Sequence, residues 1–224
     1  MRGWLRENSL ALFFLVLFLA TIVGQSIAGH LEYNEELEAH GDPTISWGRY
    51  VVSSHFGGAV MENWQSEFLQ FSFFIAATIW LVQKGSAESK KLDATGLQTD
   101  EEQRVGEHAS QRSPRWARVK DWRYKVYSNS LLILMTAIFF GTWFAQSVTD
   151  WTIYNSEQLD HQEQTVSWLT YVTTSDFWEK TLQNWQSEFL AVGTMAAFTI
   201  YLRQRGSPES KPVGAPHDET GSSV

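Results

Sequence analysis

The chain of 224 residues contains no cysteine and only 5 prolines. The absence of cysteine excludes disulfides, thiol catalysis and iron–sulfur clusters. Charge is also missing from two long stretches, Leu10 to Ala28 and Leu131 to Val148. The formal net charge of −8 does not favour nucleic acid as a partner. These absences turn attention to the apolar segments.

Four apolar segments have the composition of membrane spans. Two are the uncharged stretches above, and two shorter ones extend over Trp64–Val82 and Trp185–Leu202. Each is close to the roughly 20 residues that cross a bilayer as a helix. Since unpaired backbone groups are costly in lipid, we expect helices. The sequence therefore predicts an all-α membrane protein with four transmembrane helices.

The two halves of the chain are copies of each other at an offset of 121 residues. The heptapeptide NWQSEFL at Asn63–Leu69 recurs at Asn184–Leu190, and about 35 of roughly 83 aligned positions are identical. Each copy contains two apolar segments. The pattern indicates a tandem duplication of a two-helix hairpin, with both copies inserted in the same direction.

Lysine and arginine are distributed unevenly between the predicted loops. Two of the 17, Arg49 and Lys180, lie between the spans of a repeat, and the others lie at the termini or between the repeats. The positive-inside rule then places both termini in the cytoplasm. A cleaved signal peptide at the N-terminus is disfavoured, because the duplicate of this span is internal.

The composition also predicts the boundaries of five segments. A flexible, polar linker and a basic, aromatic juxtamembrane segment separate the repeats, and a Pro-, Gly- and Ser-rich tail without stable structure ends the chain. The segments are 1–90 (first repeat), 91–113 (linker), 114–128 (juxtamembrane), 129–211 (second repeat) and 212–224 (tail).

Aromatic residues predict elements at the membrane surface. Trp47 and Tyr50, like Trp168 and Tyr171, are spaced as on a short helix in each outer loop, so we expect interfacial helices there. Basic and aromatic residues alternate over Arg115–Lys125, which favours contact with anionic lipid headgroups. An ordinary flank of the third span explains the same pattern equally well.

Glu67 and Glu188 are the most costly residues of the predicted spans, because a carboxylate in the bilayer needs a partner, water or a proton. Helical spacing places other polar residues near them. One interpretation is a hydrated vestibule that attracts protons or cations; the favoured one is hydrogen bonding between helices. The candidate residues are Gln25, Asn63, Glu67, Gln146, Asn184 and Glu188.

Two further sets of residues recur in both copies. The first is a small-xxx-small pattern that would let helices pack closely: Ala20, Gly24, Gly141 and Ala145. The second contains weak candidates for metal ligands, two per copy: Glu36, His40, Glu157 and His161. Two ligands make a weak site, so no metal and no cofactor is predicted.

The motifs NWQSEFLQ, starting at Asn63, and QKGSAESK, starting at Gln83, resemble a family of bacterial multi-pass membrane proteins that is known only as a domain of unknown function. The resemblance covers both repeats. It implies a location in the bacterial cytoplasmic membrane, and it implies no activity, substrate or catalytic residue.

Three classes of function are compatible with these features. A small membrane scaffold or partner-binding protein is favoured, since helix packing can account for the duplicated polar residues. A channel or transporter for protons or small cations is the alternative, based on Glu67 and Glu188. An enzyme is disfavoured, because no catalytic motif is present. A homo-oligomer or a protein partner is left open.

Overall fold

The structure, a computed structural model, describes residues 2–221. Met1, in the predicted first repeat, and 222–224, in the predicted tail, lie outside the described residues. The described chain is all-helical and contains no strand, as the sequence predicts.

The described residues contain eight α-helices and three short 3₁₀ helices. The 3₁₀ helices, Leu92–Ala94, Gly106–His108 and Arg115–Arg118, lie between the repeats. The α-helices are α1 (Arg2–Glu7), α2 (Ser9–His40), α3 (Trp47–Tyr50), α4 (Ser54–Trp80), α5 (Trp122–Ser128), α6 (Ser130–Asp160), α7 (Trp168–Tyr171) and α8 (Ser175–Tyr201).

Helices α6, α7 and α8 begin where the sequence offset of 121 residues places them. Helices α3 and α7, and likewise α4 and α8, have bounds that differ by 121 residues at both ends. Helix α6 begins 121 residues after α2 and ends one residue earlier than the offset requires. The short helices expected in the loops are present as α3 and α7.

Two helices in the described part of the chain are long and apolar enough to cross a membrane, judged by length and composition alone. They are α2, with 32 residues, and α6, with 31. The sequence predicted four spans; α4 and α8 do not meet the same criterion. The physical reason is the polar motif NWQSE, which lies in the first half of both helices, at Asn63–Glu67 and Asn184–Glu188, and lowers the hydropathy of their most apolar stretches.

Helices α2 and α6 end in the same type of turn. The residue after the end of the α2 helix, Gly41, has a φ of 81°, and its N–H bonds the carbonyl of Glu38. In the second copy Gln162 takes this left-handed conformation with a φ of 61°. Its N–H bonds the carbonyl of Leu159 at 2.9 Å. Such a turn satisfies carbonyls at the helix end, and glycine adopts it at least cost.

The contacts divide the chain into two compact units. The first unit contains the residues up to Met61 together with Gln146–Tyr171, and the second contains Glu62–Ala145 together with the residues from Val172. Each unit includes parts of both repeats. The predicted boundaries at 90, 113, 128 and 211 therefore stay predictions about sequence segments.

The repeated motif QxGSxESK in the second unit forms the same turn in both copies. The backbone N–H of Gln83 donates to the Ser89 hydroxyl at 2.9 Å, and Gln204 donates to Ser210 at the same distance. Gly85 and its counterpart have φ values of 86° and 87°. Each motif thus forms its turn three residues after the end of a long helix, α4 or α8.

The C-terminal segment is held by a buried lysine. Lys211 is 1% exposed, and its ammonium donates to three backbone carbonyls between positions 216 and 219, at 2.8 to 3.1 Å. The N–H of Gly221 donates to the Ser86 carbonyl at 2.9 Å. The tail that we expected to lack stable structure therefore has defined contacts up to residue 221.

Candidate functional site

Two asparagines attach the loops of the first unit to the long helices. The Asn34 side chain donates to the Ile45 carbonyl at 3.0 Å and accepts from the Ile45 N–H at 2.9 Å. Asn155 makes the same pair of bonds with Val166, at 3.0 and 2.8 Å. An amide side chain that uses both its groups replaces a backbone partner. Each loop is therefore fixed against its helix in the same way.

Two tryptophans attach the short helices that follow these loops. The Trp47 indole N–H donates to the Ser26 hydroxyl at 3.1 Å, and the Trp168 indole donates to Ser147 at 3.0 Å. Both serines are buried. The loop architecture is thus built twice from matching residues.

The last turns of α2 and α6 and the first turn of α4 line one cavity of the first unit. Its volume is about 380 Å³. It contains all four residues that the sequence suggested as weak metal ligands, so the structure brings the two copies of this pair together. The lining residues are Tyr33, Glu36, Leu37, His40, Asp42, His55, Ile153, Ser156, Glu157, Asp160 and His161.

Negative charge dominates the lining of this cavity. Glu36 and Asp42 come from the first copy, and Glu157 and Asp160 from the second. The residues that line the cavity include no lysine or arginine. No lysine or arginine of the lining therefore offsets the charge of these carboxylates, so the cavity attracts positively charged groups.

His55 adds an aromatic wall to the cavity. Its ring centroid lies 4.4 Å from that of Tyr33. Burial lowers the pKa of His55, and the carboxylates of Glu36 and Glu157 oppose this effect in part. The sequence comparison did not identify His55, because the equivalent residue of the second copy is Asp176, which pairs with Lys180 at 3.1 Å.

The cavity does not have the geometry of a metal centre. The described residues include no group of three or more histidine, aspartate or glutamate side chains that could hold one ion. His40 also uses one ring nitrogen within its own helix, where Nδ1 donates to the Glu36 carbonyl at 2.8 Å. The shared lining is thus a charged surface rather than a set of ligands around one point.

The predicted vestibule residues lie in different environments. Helices α4 and α8 meet in the second unit through polar side chains. The Asn184 amide donates to the Glu62 carboxylate at 2.7 Å, and the Trp185 indole donates to Gln65 at 2.8 Å. The Ser66 hydroxyl donates to Glu188 at 3.4 Å. Polar groups of the two helices therefore bond each other.

Glu67 and Asn63, the first-copy equivalents of Glu188 and Asn184, are exposed. Glu62 bonds Asn184 in place of a residue of the repeated motif. The repeat does not identify Glu62, because the equivalent residue of the second copy is Gln183.

The two glutamines of the predicted vestibule differ most. Gln25 is exposed, whereas Gln146 is fully buried in the first unit. The Gln146 amide donates to the Asp150 carboxylate at 3.1 Å, and Asp150 is 4% exposed. Asp150 follows the uncharged stretch that ends at Val148, and α6 continues ten residues beyond it. Gln25 and Gln146 therefore do not form an equivalent pair.

The small residues predicted to pack helices together differ in exposure, and their role in packing stays a prediction. Ala20 is exposed, and Ala145 is partly buried. A Cβ atom built on Gly24 or on Gly141 meets no other described atom within 4 Å.

The comparison with protein families gives a match over nearly the whole chain. The family model described as "Domain of unknown function (DUF6766)" matches residues 1–222. The chain belongs to this family. No curated protein and no solved structure matches the chain.

Proposed function

We propose that the protein is an integral membrane protein with four spans, α2, α4, α6 and α8, and that a tandem duplication produced them. Helices α4 and α8 contain 27 residues each, a length of about 40 Å at 1.5 Å per residue. That length exceeds the roughly 30 Å of a bilayer core. The apolar side chains of α2 are also largely exposed, and contact with lipid would remove them from water.

The proposal includes a location and an orientation. The resemblance to bacterial multi-pass proteins supports the bacterial cytoplasmic membrane, and the distribution of lysine and arginine supports cytoplasmic termini. Arg115–Lys125 would then lie at the inner surface, against anionic lipids.

Labelling of single cysteines tests the orientation directly, because the chain has none of its own. We expect an impermeant maleimide added to intact cells to label Glu38→Cys and not Thr95→Cys. Permeabilised cells should show labelling at both positions, which controls for reactivity. Labelling of Thr95→Cys alone in intact cells would contradict the topology.

Within the membrane we propose a scaffold or partner-binding protein without catalytic activity or cofactor. The observation that carries this proposal is the direct bonding between α4 and α8, in particular from Asn184 to Glu62 at 2.7 Å. Side chains that bond each other across a helix interface stabilise the helix pair. Side chains that are bonded in this way have fewer groups left to bind an ion.

Proton flux into liposomes tests this proposal. Liposomes that contain the purified protein and a pH-sensitive dye should acidify no faster than protein-free liposomes when the external pH is lowered. Sodium and potassium gradients should likewise persist. Flux above the control would contradict a purely structural role for the polar residues.

One observation favours a second candidate, a pathway for protons or small cations. The Ser66 hydroxyl of α4 donates to the Glu188 carboxylate of α8 at 3.4 Å, so this carboxylate lies at the polar contact between the two helices. A carboxylate in such a position can take up a proton or bind a cation. In that case Glu188→Gln should abolish flux, whereas Glu179→Gln, an exposed change on the same helix, should retain it.

A further inference from the structure

We infer that the C-terminal segment 214–221 is a releasable strap that fastens the end of α8 to the turn after α4 and covers residues 85–87 of that turn. The strap, the end of α8 and this turn all belong to the second unit. The inference does not depend on the proposed scaffold function, because it rests only on contacts at the helix ends. Release of the strap would uncover the turn and loosen the connection between the two helix ends.

Two hydrogen bonds join the strap to the turn after α4. The Gly85 N–H donates to the Thr220 hydroxyl at 2.8 Å, and the Gly221 N–H donates to the Ser86 carbonyl at 2.9 Å. The turn also bonds α8 directly, since the hydroxyl oxygens of Ser86 and Thr199 lie 3.1 Å apart. Ser86 is fully buried. The strap therefore adds to a direct contact between the two helix ends and helps to bury it.

Two side-chain contacts join the strap to the end of α8. Nδ1 of His217 donates to the Ile200 carbonyl in the last turn of α8 at 3.0 Å, because a carbonyl oxygen only accepts. The Arg203 guanidinium, just after α8, donates to the Ala215 carbonyl at 3.1 Å. The last carbonyls of a helix have no partner within the helix. The strap therefore caps α8 while it bonds the turn after α4.

Lys211 gives the strap its shape. Its ammonium donates to the carbonyls of Pro216, His217 and Glu219 at 3.0, 3.1 and 2.8 Å, and the residue is 1% exposed. An ammonium has three donors, and all three are used here. A buried charge without such partners is costly. The bonds therefore hold the strap in a loop around the ammonium, and this loop directs residues 220 and 221 towards the turn.

The first copy contains a similar lysine loop that ends differently. Lys90, the equivalent of Lys211, donates to the Gly96 carbonyl at 2.9 Å, and the Gly96 N–H bonds a carbonyl in the last turn of α4 at 2.8 Å. Thr99, at the position of the strap threonine, instead has its N–H bonded to the Glu102 carboxylate at 2.8 Å. Capping of a helix by the lysine loop is thus common to both copies, whereas the strap also bonds the other repeat.

The equivalent glycines Gly85 and Gly206 differ in the space around them. Their φ values are 86° and 87°, so alanine has a similar backbone cost at either position. A Cβ atom on Gly85 would collide with the backbone carbonyl of His217 in the strap, whereas one on Gly206 meets no other described atom within 4 Å. Gly85→Ala therefore acts on the strap, and Gly206→Ala is its matched control.

Thiol labelling of the full-length protein in detergent tests the inference. Ser86→Cys places the only thiol of the chain beneath the strap, and Ser207→Cys places it at the equivalent, partly exposed position. We expect a maleimide to label Ser86→Cys at least tenfold more slowly than Ser207→Cys. Addition of Gly85→Ala should raise the labelling rate of Ser86→Cys at least tenfold, because local opening exposes the thiol. Addition of Gly206→Ala should leave this rate unchanged.

Lys211→Met is a second variant that acts on the strap without changing the turn. It removes the three ammonium bonds and should raise the labelling rate of Ser86→Cys in the same way, also where circular dichroism shows that Gly85→Ala does not fold. Three results would overturn the inference: labelling of Ser86→Cys as fast as Ser207→Cys, an unchanged rate in a folded strap variant, and an equal increase with Gly206→Ala. The last result would mean that strain in the turn, and not the strap, controls access.

Discussion

The side-chain amide of Asn184 donates to the carboxylate of Glu62 at 2.7 Å, although the sequence repeat pairs Asn184 with Asn63. The bond links α8 to α4 within the second unit, and Glu62 is only partly exposed. One member of the duplicated motif is thus satisfied by a residue outside it. This pairing leads to a first prediction about stability.

Glu62→Ala should destabilise the protein by about 1–2 kcal/mol, because it leaves the amide of Asn184 without this acceptor. The matched control is Glu67→Ala, which removes an exposed carboxylate of the same helix and should change stability by less than about 0.5 kcal/mol. Chemical unfolding in detergent, followed by circular dichroism, measures both. Equal losses in the two variants would contradict the assigned pairing.

Gly41 and Gln162 occupy equivalent positions of positive φ after α2 and α6, so each can be replaced by the residue found at the other. Gln162→Gly should stabilise the protein by about 0.5–1 kcal/mol, since glycine adopts a positive φ without steric cost. Gly41→Gln should destabilise it by a similar amount. Thermal unfolding of the two variants checks the pair. Gln164→Gly, at a position without positive φ, controls for the flexibility that glycine adds, and should not stabilise.

The lowered pKa of His55 predicts that the stability of the protein depends on pH. Burial lowers the pKa of His55, so the unfolded chain binds more protons than the folded chain between the two pKa values. Stability then rises with pH in this interval. The contribution of His55 is present above about pH 6.5, the usual pKa of histidine, and is lost as the pH falls through the lowered value.

Unfolding of the wild type and of His55→Gln between pH 4.5 and 8 should therefore show a smaller loss of stability at low pH in the variant. His108→Gln, a change of an exposed residue between the repeats, should behave as the wild type. The acidic groups that act on His55 are those of Glu36 and Glu157. An unchanged pH profile in His55→Gln would contradict this assignment.

The space beside Gly24 and Gly141 predicts how alanine at these positions affects stability. Gly24→Ala and Gly141→Ala should hold or raise the stability of the single molecule, because no described atom lies within 4 Å of the new Cβ. Alanine favours a helix interior over glycine by about 1 kcal/mol. Thermal unfolding and size-exclusion chromatography in detergent test this expectation. A loss of stability accompanied by a smaller particle would show that a second copy packs on this face.

The helices follow from local features of the sequence. Long apolar stretches without charge favour helices, and the exact recurrence of motifs predicts that helix ends recur as well. Helices α3 and α7 were expected from Trp47 and Tyr50 and their counterparts, and their bounds match at the offset of 121. Such features depend on neighbouring residues along the chain, so a single sequence contains them.

The candidate site depends on which residues face each other, and here the repeat was a poor guide. Gln25 and Gln146 are equivalent in sequence, but only Gln146 is buried, beside Asp150. His55 was missed because its counterpart is Asp176. Glu36 and Glu157 were identified from sequence, but not that they share a cavity.

The sequence by itself determined that this chain is helical, and the recurrence of its motifs at an offset of 121 residues predicted that helix ends recur; α4 and α8 nevertheless begin ten residues before the predicted spans, at Ser54 and Ser175. Those properties follow from hydropathy and local hydrogen bonding, which act over a few residues. Tertiary structure alone decided that Glu62 bonds Asn184 and that the acidic ends of α2 and α6 line one cavity. Such pairings depend on how each helix is rotated about its axis when it packs, and residues far apart in the chain set that rotation.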